Sequence, residues 1–379
     1  MSKIFLSKLL SLGLLLCFGL GLAGCTSKPV LHSIDYTETR NTEPEETTSA
    51  ETTEKSASTS ASESSSTAET TYDFSKEFKA GLNSHIEVNA KTYPVVENSP
   101  ELDGLKVLID QFLKDRGLAG RNDNISIVYE DLDAGLRYSY NPDTRYQAAS
   151  VIKAAMGMVV AQLTDEGVFP ADMAITYVPG DHFSADDLDT SSLGKLVPIW
   201  NLVDNAIINS NNAATSAIFA YFQREGRSLH FFLDERTGTH YANDVTLSAR
   251  EGIGLIEQLY FDKNYPSYQR VIDDMSRSTW GSFCRGGIPV PVSSKYGNLG
   301  SLNHEIGLVW TNKPFAYAVF SNGIPAYDVL PELGALLYNY HEGIIQAPAT
   351  EPSSADQAEQ VPEAENPYAP TAPSAPEEP

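Results

Sequence analysis

Three short groupings in this 379-residue chain carry side chains able to do chemistry together: Ser150-Val151-Ile152-Lys153, Ser210-Asn211-Asn212 and Lys295-Tyr296-Gly297. Ser150 stands where a strand pattern gives way to the apolar stretch VIKAAMGMVVAQL, so its hydroxyl falls near the positive end of a helix dipole. Lys153 lies three residues on, on the same helical face, and can reach that hydroxyl. A lysine inside so apolar a segment is expensive to bury unless it has a partner or a purpose. Each grouping also has an ordinary explanation. Ser150 reads as an N-cap serine, Ser210 as a cap with Asn212 stabilising the turn, and Lys295 as a solvent-facing strand residue.

Chance matches show how little one motif means. Ser-x-x-Lys is expected about once in a chain of ordinary composition, and Ser192-Leu193-Gly194-Lys195 is a second example, set in the polar stretch DDLDTSSLGK. Ser139–Asn141 and Ser301–Asn303 imitate the second grouping, and Lys79-Ala80-Gly81 the third. Order and context separate the trio from these.

The elements that must position the trio follow from hydrophobic period. Leu102, Leu105, Leu108, Ile109, Phe112 and Leu113 recur at three and four, predicting a helix closed by Gly117. Ile125–Glu130 and Leu136–Asn141 read as a strand hairpin around Asp131–Gly135. The buried helix after Ser150 ends near Gly167; Leu196–Asn209, Ala213–Gln223 and Thr246–Tyr260 follow as helices. Val290–Tyr296, Glu305–Thr311 and Phe315–Ser321 read as three strands, and Val329–Tyr340 as a final helix. The fold class is therefore mixed α/β of the α+β kind. Five strands complete one antiparallel sheet flanked by helices, and the central helices form a second lobe.

The ordered trio resembles the S-x-x-K, S-D-N and K-T-G signatures of penicillin-binding proteins and class A β-lactamases. The likeness extends around each motif. NISIVYEDLDAGLRYSYNPDTRYQAASVIKAAM is similar to the approach to the nucleophile, NAIINSNNAATSAI to the second motif, and KYGNLGSLNHEIGLVWTNKPFAYAVFSNG to the third with its following strands. It spans roughly residues 100–345 and implies a β-lactamase/transpeptidase-like domain over 100–346.

By that resemblance Ser150 attacks a carbonyl of a β-lactam or of a D-Ala-D-Ala-type peptidoglycan stem peptide. Lys153 accepts its proton, which requires a neutral amine at the moment of attack. Ser210 relays a proton toward the leaving nitrogen, Asn212 holds the substrate side chain or Lys153, and Lys295 with Gly297 binds the substrate carboxylate. The N–H groups of Ser150 and Asn298 form the oxyanion hole.

The chain departs from the pattern in three places. Asn211 replaces the middle Asp and Tyr296 the middle Thr, and the lost hydroxyl weakens carboxylate binding unless another donor, such as Ser294 or Tyr296, compensates. No E-x-x-L-N sequence, whose Glu activates the deacylating water in class A enzymes, occurs between Asn212 and Lys295. FLDERTGTHYANDVTLSAREG resembles only the flanks of that loop. Glu235 reads first as a surface or loop-pinning carboxylate and second as a deacylation base. Acylation is expected and fast hydrolysis is not. The alternatives are a catalytically inactive cell-wall-binding module on the same fold and a solute-binding lipoprotein, the latter opposed by the strand order.

The flanks are of a different kind. Residues 1–25 have Lys3 and Lys8 before an apolar run and end in Leu-Ala-Gly-Cys, the layout of an export signal, and resemble the lipobox of bacterial lipoproteins with Cys25 as lipid site. Residues 26–71 form a Ser/Thr/Glu-rich tether, 72–99 a transition segment, and 347–379 a Pro/Ala/Glu-rich tail. Of the formal charge of −24, the signal carries +2, the tether −6 and the tail −7, leaving −13 for residues 72–346. No basic patch for nucleic acid appears. Cys284 is the one cysteine left after Cys17 and Cys25, so it reads as a packed thiol. No metal or organic cofactor is expected, His304 reads as a strand-end residue, and the chain reads as a monomer. The expected location is the outer face of the bacterial cell membrane, through the lipid on Cys25.

Overall fold

A computed structural model describes residues 71–85, 90–121, 124–180, 183–280 and 283–346. The signal with Cys25, the tether up to residue 70 and the tail lie outside the described residues. The strands are β1 (Val96–Glu97), β2 (Ile125–Asp131), β3 (Leu136–Tyr140), β4 (Arg145–Gln147), β5 (Ala174–Thr176), β6 (Leu196–Pro198), β7 (Thr246–Ser248), β8 (Val292–Leu299), β9 (Leu302–Val309) and β10 (Phe315–Asn322). Six of them form one sheet in the order β1-β3-β2-β10-β9-β8, while β4 pairs with β7 and β5 with β6.

The expected five antiparallel strands are present, and a sixth joins them. β1 pairs in parallel with β3 through Val96–Leu136 and Glu97–Arg137. Two exposed residues have no hydrophobic period to betray them. The central strands β2, β9 and β10 are buried almost along their whole length, because both faces of the sheet are covered.

The helices are α1 (Asp103–Asp115), α2 (Ile152–Asp165), α3 (Ile199–Ile208), α4 (Asn212–Arg224), α5 (Leu229–Thr237), α6 (Tyr241–Asp244), α7 (Ala249–Phe261), α8 (Tyr268–Ser276) and α9 (Ala326–His341). On one face Ile127, Tyr129, Phe315, Tyr317 and Val319 share a core with α1 and α9. On the other, Val128, Ile306, Leu308, Ala316, Ala318 and Phe320 share a larger core with α2, α7 and the helical lobe. Alternation along the strands assigns each residue to its side. No helix among the described residues is long and apolar enough to cross a membrane.

Several boundaries differ from expectation. Residues 196–198 are strand, paired with β5, and α3 begins only after Pro198. Residues 246–248 pair with β4, and Ser248 then caps α7 in a capping box with Glu251. Helix α8 escaped the sequence reading, and α9 starts at Ala326, three residues early. Where a shortened loop was expected, the chain forms α5 and α6. Within residues 72–99, Glu77 is buried and bonds Arg224 of α4 and the Thr176 amide of β5, which docks this segment on the lobe.

Candidate active site

Ser150 lies in a single 3-10 turn, Ala149–Val151, that runs directly into α2. It is buried, and the first turn of α2 has no side-chain cap, so the ordinary reading of Ser150 as an N-cap does not hold. The turn is held under backbone strain. Ala149 has φ 45°, a region that costs an L-residue roughly 1–2 kcal/mol, and such strain concentrates at functional sites. Three restraints surround it. The Ala148 N–H donates to Val245 O at 3.1 Å, and Val245 is itself at φ 55° although β-branched. His304 meets Gln147 O at 2.9 Å. Gly297 on β8 presses against the turn, since a Cβ there would lie 3.1 Å from Ser150 N and 3.2 Å from Ala148 O. A side chain there would crowd the nucleophile's amide.

Packing between α2 and α3 brings the second motif to the first. Gly157 of α2 lets Ile207 and Val203 of α3 come close, where a Cβ would meet Ile207 Cδ1 at 2.8 Å. The chain leaving α3 then reaches Lys153. Lys153 Nζ donates to Ser210 O at 2.5 Å, to Asn212 Oδ1 at 2.6 Å and to Ser210 Oγ at 3.3 Å. From the sheet side, Lys295 Nζ donates to Ser210 Oγ at 3.1 Å and to Tyr296 O at 2.9 Å. Both lysines are buried. Ser210 Oγ therefore accepts from two lysine Nζ groups, one from each lobe. Ser210 has φ 54°, the third strained non-glycine residue in this small region.

Asn211 has a different task from its neighbours. Its Oδ1 accepts the Ala214 N–H and caps α4, while its Nδ2 donates to Asp187 O. The expected cap by Ser210 is thus made by Asn211 instead, which releases Ser210 to the lysines. The replacement of Asp by Asn preserves an acceptor where the helix needs one.

Other residues singled out from the sequence fall as follows. Asn298 follows Gly297 on β8, the sheet's outermost strand, and its side chain bonds Asn303 Oδ1 at 2.6 Å. Ser294 cannot compensate for the missing Thr hydroxyl. It points to the opposite face of β8, where it donates to Glu305 Oε1 at 2.8 Å, and burial holds that carboxyl above its usual range. The Tyr296 ring lies with its centroid 4.0 Å from Lys295 Nζ and 6.0 Å from that of the half-exposed Trp280. Glu235 is paired with Arg227, the loop-pinning reading. Cys284 is buried and burial pushes its thiol well up, which keeps it unreactive. His304 lies inside β9 rather than at its end, and burial lowers its pKa to about 4.

Two contributors gave no readable sign. Val245 is an unremarked residue in a polar stretch, and its role comes from a carbonyl. His304 reaches Gln147 across more than a hundred residues of chain, and nothing local announces such a contact. A β-branched residue forced to positive φ is visible only in three dimensions.

Residues 109–341 match the model of the Beta-lactamase enzyme family. The chain belongs to that family. Its members' fold is also that of its solved neighbours. PBP-A, in a mutant form described as an acyl-enzyme complex with penicillin G, aligns at 18% identity and TM-score 0.55, covering 66% of this chain and 100% of that one. The structure of PBP-A itself gives 17% and 0.53, covering 67% and 100%. The class A beta-lactamase of the last common ancestor of Gram-negative bacteria gives 20% and 0.48, covering 62% and 99%. Comparison with curated protein sequences gives no match. At the level of the beta-lactamase enzyme family, the chain is a serine hydrolase with a β-lactamase/transpeptidase fold.

Proposed function

We propose that this protein is a serine acyl-enzyme hydrolase acting on β-lactams or on D-Ala-D-Ala-type peptidoglycan peptides, one that acylates readily and deacylates slowly. The observation that carries the reading is the joining of Lys153 and Lys295, from opposite lobes, on the hydroxyl of Ser210. A hydroxyl has two acceptor positions and one proton to give. Once Lys153 has taken the Ser150 proton, both lone pairs of Ser210 Oγ are turned to lysine ammonium groups and its proton is aimed elsewhere, as donation to a leaving nitrogen requires. Lys153, in its neutral form, takes the Ser150 proton as the Ser150–carbonyl bond forms. Collapse of the tetrahedral adduct breaks the C–N bond, and the nitrogen takes a proton through Ser210. The amides of Ser150 and Asn298 stabilise the oxyanion, and Lys295 binds the carboxylate.

Slow release of the acyl group is supported by the engagement of Glu235 with Arg227 and by the missing E-x-x-L-N sequence. Asn211 in place of Asp keeps the task of capping α4, so this departure from the motif does not by itself speak for an inactive module. Export and lipid anchoring through Cys25 belong to the same proposal and rest on the sequence of residues 1–25.

The test is intact-mass spectrometry of residues 72–346 with benzylpenicillin, beside Ser150→Ala. A lasting adduct of one intact penicillin, lost in the variant, is the expected result. Consumption of penicillin without an adduct, again needing Ser150, would overturn slow deacylation and indicate a working hydrolytic base. Neither adduct nor turnover would remove the penicillin-directed reading altogether.

A further inference from the structure

The segment that delivers Ser150 is not laddered to the main sheet. Among the described residues β4 pairs only with β7, and the turn after it carries a strained Ala149. Side chains join this segment to the sheet: the Tyr146 hydroxyl of β4 meets Ser126 Oγ of β2 at 3.1 Å, and His304 reaches the residue after Tyr146. His304 on β9 is fully buried and stacks on Phe320, with ring centroids 4.6 Å apart, and its ring also lies 5.5 Å from that of Tyr146 on β4. Its Nδ1 accepts the Ser321 N–H at 3.2 Å. That leaves the ring proton on Nε2, which donates to Gln147 O at 2.9 Å. Across β8 and β9, His304 is the register partner of Gly297, the residue pressed against Ser150 N. One rung of the sheet therefore grips the nucleophile's turn twice, at Gln147 through an imidazole and at Ser150 through a glycine.

We propose that His304 is a positioning residue for acylation: its bond to Gln147 O holds the turn of Ser150 against Gly297, keeping the nucleophile's amide and hydroxyl in attacking register. This rests on Ser150 being the nucleophile. The ring does not touch substrate; it acts through the main chain. Displacement of a reacting atom by about 1 Å is enough to lower a rate roughly 100-fold, so a lost strut is read in the acylation step rather than in substrate affinity.

The two ring nitrogens allow a discriminating pair of variants. Asn in place of His304 puts its amide where Nδ1 stands, so His304→Asn keeps a partner for Ser321 and cannot reach Gln147. Gln reaches the Nε2 position, so His304→Gln keeps a donor for Gln147. Both are made in the full chain beside the parent protein, with thermal unfolding recorded for each. Ser150 labelling is timed with benzylpenicillin and, separately, with a fluorophosphonate, which reports serine nucleophilicity without requiring a β-lactam. The expected result is that His304→Asn slows the first-order acylation step by about 10- to 100-fold with little change in the half-saturating concentration, while His304→Gln stays within about threefold. Equal rates in the parent and His304→Asn, or rates that follow melting temperature in both variants alike, would overturn the proposal. If His304→Asn does not fold, His304→Phe keeps the packing on Phe320 and Tyr146 and takes its place with the same expected loss. Labelling of the parent by fluorophosphonate but not penicillin would overturn the substrate reading alone, and the variants would still be judged by fluorophosphonate. Labelling by neither would overturn both.

Discussion

Lys153 and Lys295 are buried lysines that donate to the Ser210 carbonyl and hydroxyl, the Asn212 amide oxygen and the Tyr296 carbonyl. A lysine is costly to bury without partners or a purpose, and here both lysines converge on one hydroxyl. Lys153→Met is expected to lose acylation by about 10²- to 10⁴-fold, read from penicillin adduct rates, with melting curves recorded to show that the variant is folded. Strain gives a second prediction at this scale. Val245 sits at φ 55°, where asparagine is far more at ease than a β-branched residue. Val245→Asn should gain about 1 kcal/mol in denaturant unfolding, and a loss of stability would show that the side chain's packing outweighs its backbone.

At the scale of elements, α4 is the point where a substitution in the second motif and a helix start coincide. Asn211 caps α4 through Ala214 N and ties it to Asp187 O. Asn211→Ala should cost about 1 kcal/mol or more, whereas Asn211→Asp should keep most of the cap and lose only the donor to Asp187. If Asn211→Ala leaves the unfolding midpoint unchanged, the cap is not what the asparagine supplies. The contacts between α2 and α3 work on the same scale: Gly157 lets the two helices close up, and that closeness carries Ser210 to Lys153.

Across the whole molecule, buried titratable groups pull stability in opposite directions with pH. His304 has a folded pKa of about 4 against an ordinary 6.5, so its neutral form is favoured in the fold. Its contribution is intact above about 6.5 and is lost as pH falls toward 4, by up to about 3 kcal/mol. Glu257, buried beside Glu130 on the shared Arg137, is raised to about 7, by burial first and Glu130 second. Stability therefore falls as pH rises from the ordinary carboxylate range through 7. The parent should lose ground to His304→Gln on acidification and to Glu257→Gln on approach to neutral pH, both measured by denaturant unfolding. The segment before α1 is the other whole-molecule feature. Glu77, fully buried, joins it to Arg224 and Thr176, and Glu77→Ala should cost about 3 kcal/mol or more by leaving a partly buried arginine without its carboxylate.

How far the chain could be read without coordinates follows from the range of the forces involved. Hydrophobic period fixed the strands β2, β3, β8, β9 and β10 and the helices α1, α2 and α4, because burial of one face leaves its mark every two or every three to four residues. The three motifs were legible through their order and surroundings, which set Ser150, Lys153, Ser210 and Lys295 apart from the decoys at Ser192 and Lys79. The two-residue β1, the small strands at 196–198 and 246–248, and α8 were not, since short or paired segments take their form from distant partners. The tertiary structure alone decided that Asn211 rather than Ser210 caps α4, that Ser294 faces Glu305, and that Glu235 belongs to Arg227. It alone brought His304 to Gln147 and Gly297 to Ser150. Sequence by itself determined which side chains were available for chemistry; long-range packing determined which of them meet, because hydrogen bonds between residues far apart in the chain leave no local period to read.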